Sequence, residues 1–194
     1  ALLLAWINFL IQAFGTDHSV NNELLAKIAF ETEVTEQNGP GGKMDQYAIS
    51  LGHIIYLETD ATSNHQLIGK HLNGLVIGES GIGKDTLGLL NDRRSLALEA
   101  FSFLKKQNPT FNIKKVTGAT IASYLYQLPI HLRQLFFAAI NNHLISQVAL
   151  KVFIRNPLDL NRLGKLMNDH HSLLKNHLKI TIPRIDDMID AAIS

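Results

Sequence analysis

Apolar runs separated by short polar turns dominate the first third of the chain, and they predict mostly helices. Residues 1–14 are almost wholly apolar and predict a buried helix. A second helix follows, capped by Asn21 or Asn22, and its leucine, isoleucine and alanine residues recur at helical spacing on one face. After a Gly/Pro turn, residues 47–51 predict the start of a short helix. Residues 52–59, which are rich in β-branched and aromatic side chains, then predict a strand.

A polar, turn-like stretch at residues 60–66 indicates a boundary between two lobes. One further strand is predicted beyond it, at residues 72–77. The pattern then becomes helical, and the predicted helices cover residues 84–106, most of 107–155, 158–178, and a final segment capped by Thr181 with Pro183 in its first turn. The second part of the chain is therefore expected to consist mainly of helices.

Composition narrows the class of protein. The 194 residues are 46% hydrophobic and 18% charged, which is typical of a soluble globular protein with a sizeable core. The net charge is +1 without a long run of like charge, so nothing indicates binding to nucleic acid or to an acidic membrane surface. The apolar start is shorter than the about 20 residues that span a bilayer, and it lacks the basic flank of a signal peptide. The absence of cysteine excludes disulfides, thiolate metal sites and cysteine nucleophiles.

Two acidic residues on either side of the Gly/Pro turn form the first candidate site. Glu33 lies near the end of the second helix, where an acid opposes the helix dipole, so either it is tolerated on a solvated face or a cation lies nearby. Asp45 follows the glycine-rich residues 39–42 and is either an ordinary helix cap or a site residue. If the turn folds the chain back, both carboxylates point into one pocket. Phosphoryl transfer to a hydroxyl requires such a pair, with one acid on magnesium and the other near the accepting oxygen.

Residues 78–86 read Gly-Glu-Ser-Gly-Ile-Gly-Lys-Asp-Thr and come close to a phosphate-binding P-loop. That motif requires a lysine followed directly by a serine or threonine whose hydroxyl reaches magnesium. Here Asp85 occupies the hydroxyl position and Thr86 lies one residue late, so a carboxylate would face the phosphates. A P-loop nucleotidase using Gly78 to Lys84 and a glycine-rich turn capped by Asp85 or Thr86 both remain open.

The nine histidines raise the question of a metal site, above all at Asp169, His170 and His171 with His177 nearby. Adjacent residues of a helix point about 100° apart, so His170 and His171 cannot both face one ion from a regular helix. A structural or substrate-facing role for one of the two is the better interpretation. Zinc-hydrolase and serine-hydrolase motifs are absent.

Four stretches of the sequence, in order, are similar to sugar kinases of the GHMP superfamily and to galactokinases in particular. The first joins Thr32-Glu33-Val34 to Gly39-Pro40-Gly41-Gly42-Lys43-Met44-Asp45-Gln46-Tyr47, and it resembles the galactokinase Ala-Glu pair followed by Gly-x-Met-Asp-Gln. The others are Leu75-Val76-Ile77-Gly78 with Lys84-Asp85-Thr86, the Leu-Met-Asn-Asp-His run within Leu163–Leu174, and the Pro-x-x-Asp run within Thr181–Asp186. Together they span most of the chain.

The resemblance implies a fold, an activity and roles for three residues. The fold would be α+β, with residues 1–65 forming part of the ribosomal-S5-like N-lobe of a two-lobed GHMP kinase and residues 66–194 most of its helical C-lobe. The activity would be ATP- and Mg²⁺-dependent phosphorylation of a small-molecule hydroxyl, above all that of a sugar, in the cytoplasm. Glu33 matches the acid that binds Mg²⁺, Asp45 the acid beside the phosphate-accepting hydroxyl, and Gly42 the glycine whose backbone lines the sugar pocket.

The sequence also departs from the family. It lacks the N-terminal Arg-containing motif, the Ser-rich ATP loop and the Gly-rich motif that follows the last helix, so we expect a central fragment of a kinase that is inactive alone. Residues 107–155 match galactokinases poorly, which leaves the identity of the sugar open. A noncatalytic ligand-sensing or interaction module on the same scaffold is the second hypothesis, and the P-loop nucleotidase is the third.

Overall fold

The computed structural model describes residues 1–16, 19–37, 41–83 and 87–194. Within them the chain forms two compact units, Ala1–Leu75 and Val76–Ser194. The sequence pattern places the boundary after residue 65, whereas the structure places it after Leu75, because residues 65–68 form a strand that pairs back onto the first unit. Helices make up most of the chain beside one small sheet, which is compatible with the α+β class.

The first unit combines helices with a β-hairpin. Its elements are α1 (Leu2–Phe14), α2 (Asn22–Phe30), a π-helical segment that continues α2 (Glu31–Glu36), α3 (Met44–Leu51), β1 (Ile54–Leu57) and β2 (His65–Ile68). α2 packs against both α1 and α3, and α3 leads into β1 with which it is in contact.

The interface between α2 and α3 holds the core of the first unit. Asn21 caps α2, as predicted, because its Oδ1 accepts a hydrogen bond from the backbone N–H of Leu24 at 2.8 Å. Ala26 is fully buried and packs with Tyr47 of α3 and Leu57 of β1. A small residue opposite a large aromatic one lets two elements approach closely and fill the space between them. This packing fixes the start of α3 against α2.

The first helix forms where the apolar run predicts it, but the prediction that it is buried is wrong. Leu4 is buried, whereas Trp6 and Phe14 are 57% and 82% exposed. α1 packs against α2 and α3, and its face turned away from these two helices stays in solvent. The rings of Trp6 and Phe9 stack with their centroids 5.4 Å apart, and each ring covers part of the other.

The hairpin contains one strand that the sequence predicts and one that it does not. β1 lies within the predicted residues 52–59, and β2 pairs with it antiparallel in the register Ile54 to Ile68 and Leu57 to His65. The stretch 60–66 was expected to be a polar boundary between lobes. Its first residues are indeed the hairpin loop, but polar His65 and Gln66 join the ladder because backbone pairing does not depend on side-chain polarity.

The predicted strand at residues 72–77 is wrong. In the structure these residues have no regular secondary structure, and the side chains of Val76 and Ile77 are 92% and 96% exposed. Apolar β-branched residues favour a strand only where a neighbouring strand supplies hydrogen bonds and a packing surface. Neither contact is present for this segment in the described part of the chain.

The second unit is helical in the residues that the structure describes. Its elements are α4 (Leu87–Gln107), a 3₁₀ turn (Ile113–Lys115), α5 (Ile121–Gln127), α6 (Ile130–Phe153), α7 (Leu160–Leu173), a π-helical segment that continues α7 (Leu174–Leu178) and α8 (Pro183–Ile193). The predicted helices are thereby confirmed outside residues 84–86, which lie beyond the described part. No described helix is both long enough and apolar enough to cross a membrane.

Phe136 is the centre of the core of the second unit. It is fully buried on α6, and its ring meets Phe101 of α4 edge-on at 5.8 Å between centroids. Phe111 and Tyr124 complete the aromatic cluster around it. Leu104, Leu128, Leu132 and Ile140 are also buried in this cluster, so α4, α5 and α6 share one core. Edge-to-face aromatic pairs add to the apolar burial that holds such a core together.

The start of α8 differs in one detail from the prediction. Pro183 lies in the first turn, as expected, but the N-cap is Ile182 rather than Thr181. Thr181 instead uses its Oγ1 to donate a hydrogen bond to Oδ2 of Asp186 at 3.3 Å. The threonine therefore stabilises the first turn through a side chain of that turn and not through a backbone N–H.

Replacing Phe136 by alanine should lower the free energy of unfolding of the second unit by about 3–5 kcal/mol, because it removes a fully buried ring from a close-packed core. Urea unfolding followed by the far-ultraviolet circular dichroism of the helices measures the change. Tyr126→Ala is the matched control, since Tyr126 is an exposed aromatic residue in the same unit. Equal effects of the two substitutions would contradict the assignment of Phe136 to the core.

Candidate functional site

The two flanks of the Gly/Pro turn meet in the first unit. Nε2 of Gln46, on α3, donates a hydrogen bond to Oε2 of Glu33, on the π-helical segment, at 2.8 Å. A Cβ placed on Gly41 would lie 3.3 Å from Cγ2 of Val34, so the chain passes close to the same segment just before α3 begins. Gly39 and Pro40 themselves lie outside the described residues. The contacts on either side of them bring Glu33 close to Gln46 and Val34 close to Gly41.

Glu33 is exposed and lies on the π-helical segment Glu31–Glu36. This segment forms the last turns of the helix that begins with α2. The hydrogen bond from Gln46 engages Oε2, and Oε1 has no hydrogen-bond partner in the described chain. The carboxylate therefore presents one oxygen to a ligand while the other is held by the protein.

Asp45 lies in the first turn of α3, one residue before Gln46, and its side chain is exposed. It is not the helix cap, because the N-cap position is Lys43 and no side chain caps the helix there. An acid in the first turn is nevertheless favoured by the helix dipole. Asp45 has no side-chain partner in the part of the chain that the structure describes. Its carboxylate is thus available to a ligand beside the helix N-terminus.

The structure brings Glu33 into contact with Gln46, and it places Asp45 next to Gln46 in sequence. Adjacent helical residues point about 100° apart, so the side chain of Asp45 leaves α3 in a different direction from that of Gln46. Within the described residues no hydrogen bond joins Glu33 to Asp45. Whether both carboxylates open into one pocket stays a prediction.

Gly42, the third predicted site residue, is exposed just before α3. A Cβ placed on it would meet no atom within 4 Å, so open space surrounds its backbone. A ligand could therefore approach this stretch of main chain closely, which is the role that the resemblance to sugar kinases implies for Gly42.

A cleft of about 470 Å³ lies beside this region, but other residues line it. Its lining comes from α2, from the start of α3 and from the hairpin loop, and includes Lys27, Glu31, Lys43, Tyr47 and Ser63. Glu33, Gly42 and Asp45 are not among the residues that line it. Two lysines and two glutamates, drawn from α2, the π-helical segment and the start of α3, give the cleft a polar surface, so it suits a polar rather than an apolar ligand.

Lys43 ties the hairpin loop to the start of α3. Its Nζ donates hydrogen bonds to the backbone carbonyl of Asp60 and, at 2.7 Å, to Oγ of the buried Ser63. The same ammonium group lies 5.5 Å from the centroid of the Phe30 ring, within the range of a cation–π contact. The role of Lys43 could not be predicted from its place in the motif, since only the fold brings residues 60–63 beside it.

Glu33 is the acid of the first unit that the resemblance to sugar kinases assigns to Mg²⁺, and this role stays a prediction. Mg²⁺ usually binds one or two carboxylates, keeps several waters and takes its remaining ligands from phosphates. Glu33 offers such a carboxylate oxygen. The described residues contain no group of three or more His, Cys, Asp or Glu side chains that could hold a metal ion by themselves. A cage made wholly of protein side chains is therefore not present in that part of the chain.

The histidines of the second unit lie close to α8. Nε2 of His171 is 3.1 Å from Oδ1 of Asp186, and Nζ of Lys175 is 3.5 Å from Oδ2 of the same carboxylate. Oδ1 accepts no well-aligned hydrogen bond, so its contact with His171 is electrostatic. His171 and Asp186 are both largely buried. These contacts join α7 to α8, so His171 has a structural role, which is one of the two alternatives, structural or substrate-facing, that its sequence position leaves open.

His170 and His171 also line a mainly apolar cavity of about 760 Å³ in the second unit. Ile145, Leu166 and Ile189 are among its apolar lining residues. Desolvation by this partial burial lowers the pKa of His170 from its ordinary value of 6.5, and the charge of neighbouring His171 lowers it further. His177 lies elsewhere, with its ring 4.8 Å from that of Phe137.

The residues of the near P-loop motif do not have the context that the motif requires. A P-loop connects a strand to a helix, but residues 75–77 form no strand in the structure. A Cβ on Gly78 would lie 2.7 Å from Cε of Met188, so this glycine faces α8. Lys84, Asp85 and Thr86 lie outside the described residues. Of the two flanking elements, only α4 is present.

Comparison with known proteins adds no family assignment. No protein-family model matches the chain, and no curated protein is significantly similar to it.

Replacing Lys43 by methionine should lower the free energy of unfolding of the first unit by about 1–2 kcal/mol, because hydrogen bonds from an ammonium group to Asp60 and Ser63 are lost. Fluorescence of Trp6, the single tryptophan, reports the unfolding of this unit in urea. Lys27→Met is the matched control. Lys27 forms an exposed 3.8 Å ion pair with Glu31 across one helical turn, for which about 0.3–0.5 kcal/mol is expected.

An equal loss for the two lysine variants would contradict the anchoring role of Lys43.

The lowered pKa of His170 predicts a pH dependence of stability. Its contribution is fully present above the unfolded pKa near 6.5, and it is lost as the pH falls toward the lower folded pKa, because the unfolded chain then binds the proton more tightly. His170→Gln should therefore lose less stability than the wild type between about pH 8 and about pH 5. Chemical unfolding at both pH values measures this difference. An identical loss in both proteins would contradict the prediction.

Proposed function

We propose that the protein is an ATP- and Mg²⁺-dependent kinase of the GHMP type that phosphorylates a hydroxyl of a small molecule, and we favour a sugar. The observation that carries the proposal is the hydrogen bond between Gln46 and Glu33. It joins the two halves of the motif in which the resemblance to sugar kinases is most specific. The motif thus behaves as one local structure rather than as two unrelated sequence matches.

The chemistry of the proposal uses one carboxylate on each flank of the turn. Glu33 would hold Mg²⁺ through its free oxygen, and the bound ion would neutralise the developing charge on the phosphoryl oxygens. Asp45 would lie at the accepting hydroxyl, either taking its proton or orienting it, and its exposed carboxylate in the first turn of α3 leaves it free to do so. The open backbone at Gly42 would border the substrate.

The fold that goes with this proposal is the two-lobed GHMP kinase fold. The first unit, with its hairpin and its helices α2 and α3, would belong to the ribosomal-S5-like N-lobe, and the helical second unit to the C-lobe. Support comes from the order of the four similar stretches along the chain and from the mixture of one small sheet with many helices. We place the protein in the cytoplasm, which a sequence without cysteine fits.

A panel of sugars and other small alcohols, incubated with ATP and Mg²⁺, tests the proposal. The protein should be produced from its complete coding sequence, and phosphorus-31 NMR should identify the phosphorylated product. We expect phosphoryl transfer to at least one member of the panel. Binding of a sugar without turnover would favour the noncatalytic module. ATP hydrolysis that no acceptor stimulates, combined with protection of Lys84 by nucleotide, would favour the P-loop nucleotidase.

On the substrate identified in that panel, Asp45→Asn should lower kcat by about 10²–10⁴-fold, because the amide can neither take a proton nor stabilise a developing positive charge at the hydroxyl. The KM for the sugar should change much less. Glu36→Gln is the matched control, since Glu36 is an exposed acid on the same flank of the turn that is assigned no role. Near wild-type kcat in Asp45→Asn would remove Asp45 from the mechanism.

A further inference from the structure

We infer that Gln46 is a positioning residue that fixes the carboxylate of Glu33 for a divalent cation. This inference rests on the proposed function, because it takes Glu33 as the ligand of the metal. Gln46 directly follows Asp45 in the sequence, and only the fold shows its contact with Glu33.

The burial of Gln46 is unusual for its place in the chain. The side chain is 6% exposed, although the preceding residues Met44 and Asp45 are both exposed. A buried primary amide is unfavourable unless its polar atoms are hydrogen-bonded. Its donor is satisfied by the carboxylate of Glu33, and a hydrogen bond to a charged group is about twice as strong as one between neutral groups. The amide is therefore held by the core on one side and by Glu33 on the other.

The hydrogen bond also restrains Glu33. An exposed glutamate on a helix samples several rotamers, and fixing one of them costs conformational entropy when a ligand binds. Gln46 is the more restrained partner, because its side chain is buried whereas that of Glu33 is exposed. Engagement of Oε2 fixes the carboxylate and leaves Oε1 for the cation. Residues that hydrogen-bond to the ligands of a metal ion orient those ligands and tune the affinity for the metal.

The oxygen atom of the Gln46 amide also supports the inference that Gln46 positions Glu33. Oε1 of Gln46 is buried and has no hydrogen-bond partner in the described chain. Turning the amide over would bring this oxygen to the carboxylate of Glu33, so the contact with Glu33 fixes its orientation. A buried acceptor without a partner is rare in folded proteins and calls for an explanation. The amide thus keeps the orientation that serves Glu33, although this orientation leaves its own oxygen unpaired in the described chain.

Titration with Mn²⁺ tests the inference without relying on turnover. Mn²⁺ takes the same oxygen ligands as Mg²⁺, and its unbound form is measured directly by electron paramagnetic resonance. Gln46→Met keeps the length of the side chain and removes both polar atoms. It should weaken Mn²⁺ binding about 10–100-fold, and Glu33→Gln should weaken it at least as much. Gln66→Met is the matched control, since Gln66 is exposed on β2, and it should bind Mn²⁺ as the wild type does.

The double variant separates positioning from a general loss of structure. If Gln46 acts through Glu33, then adding Gln46→Met to Glu33→Gln should cause no further loss of Mn²⁺ affinity. If Gln46→Met does not fold, Gln46→Asn gives the same test, because the shorter amide moves away from Glu33 while the carboxylate itself is unchanged. Gln46→Asn should then weaken Mn²⁺ binding by a similar factor, and wild-type affinity in that variant would overturn the inference.

The outcomes also distinguish this inference from the proposed function. Loss of Mn²⁺ affinity in Glu33→Gln without any loss in a folded Gln46→Met would overturn the role of Gln46 and leave the kinase proposal standing. Loss of affinity in both variants of a protein that phosphorylates no acceptor would support the role of Gln46 and overturn the kinase proposal. Unchanged affinity in both would remove Glu33 as a metal ligand and overturn the inference with it.

Discussion

The hydrogen bond between Gln46 and Glu33 is the contact on which the candidate site depends. It crosses from α3 to the π-helical segment and closes a loop whose middle residues lie outside the described chain. Without it, the exposed side chain of Glu33 would have no hydrogen-bond partner in the described chain. The contact exists because Ala26 and Tyr47 pack α2 against α3, so apolar burial places a polar pair that could not hold the two elements together alone.

Local signals allowed much of this fold to be predicted. The Asn21 cap, the proline in the first turn of α8 and the helical periodicity of the second unit each depend on a few neighbouring residues, and the structure confirms them. The predictions that are wrong concern segments whose structure depends on contacts with distant parts of the chain. Strand β2 begins with polar residues and forms because it pairs with β1. Residues 72–77 are mostly apolar but stay irregular, because no strand of the described chain pairs with them.

The candidate site, like the fold, could be predicted from the sequence only in part. Residue types and spacing select Glu33, Gly42 and Asp45, but burial and partners are properties of the folded chain. Nothing in the sequence shows that Gln46 is buried while Asp45 beside it is exposed. The contact of Lys43 with the hairpin loop is equally invisible there. The same is true of the contacts that Asp186 makes with His171 and Lys175. Each of these depends on which face of a helix meets its neighbour, and a one-residue change in helix start would rotate that face by about 100°.

The two units also use polar contacts in different ways. In the second unit Asp186 has an imidazole and an ammonium group within 4 Å, so its charge is already balanced by the protein, and its role is to join α7 to α8. In the first unit Glu33 has one neutral donor, and no cation of the described chain pairs with it or with Asp45. A carboxylate that is not paired with a cation of the protein is open to a bound cation, so this contrast supports the proposed placement of the reaction in the first unit rather than in the second.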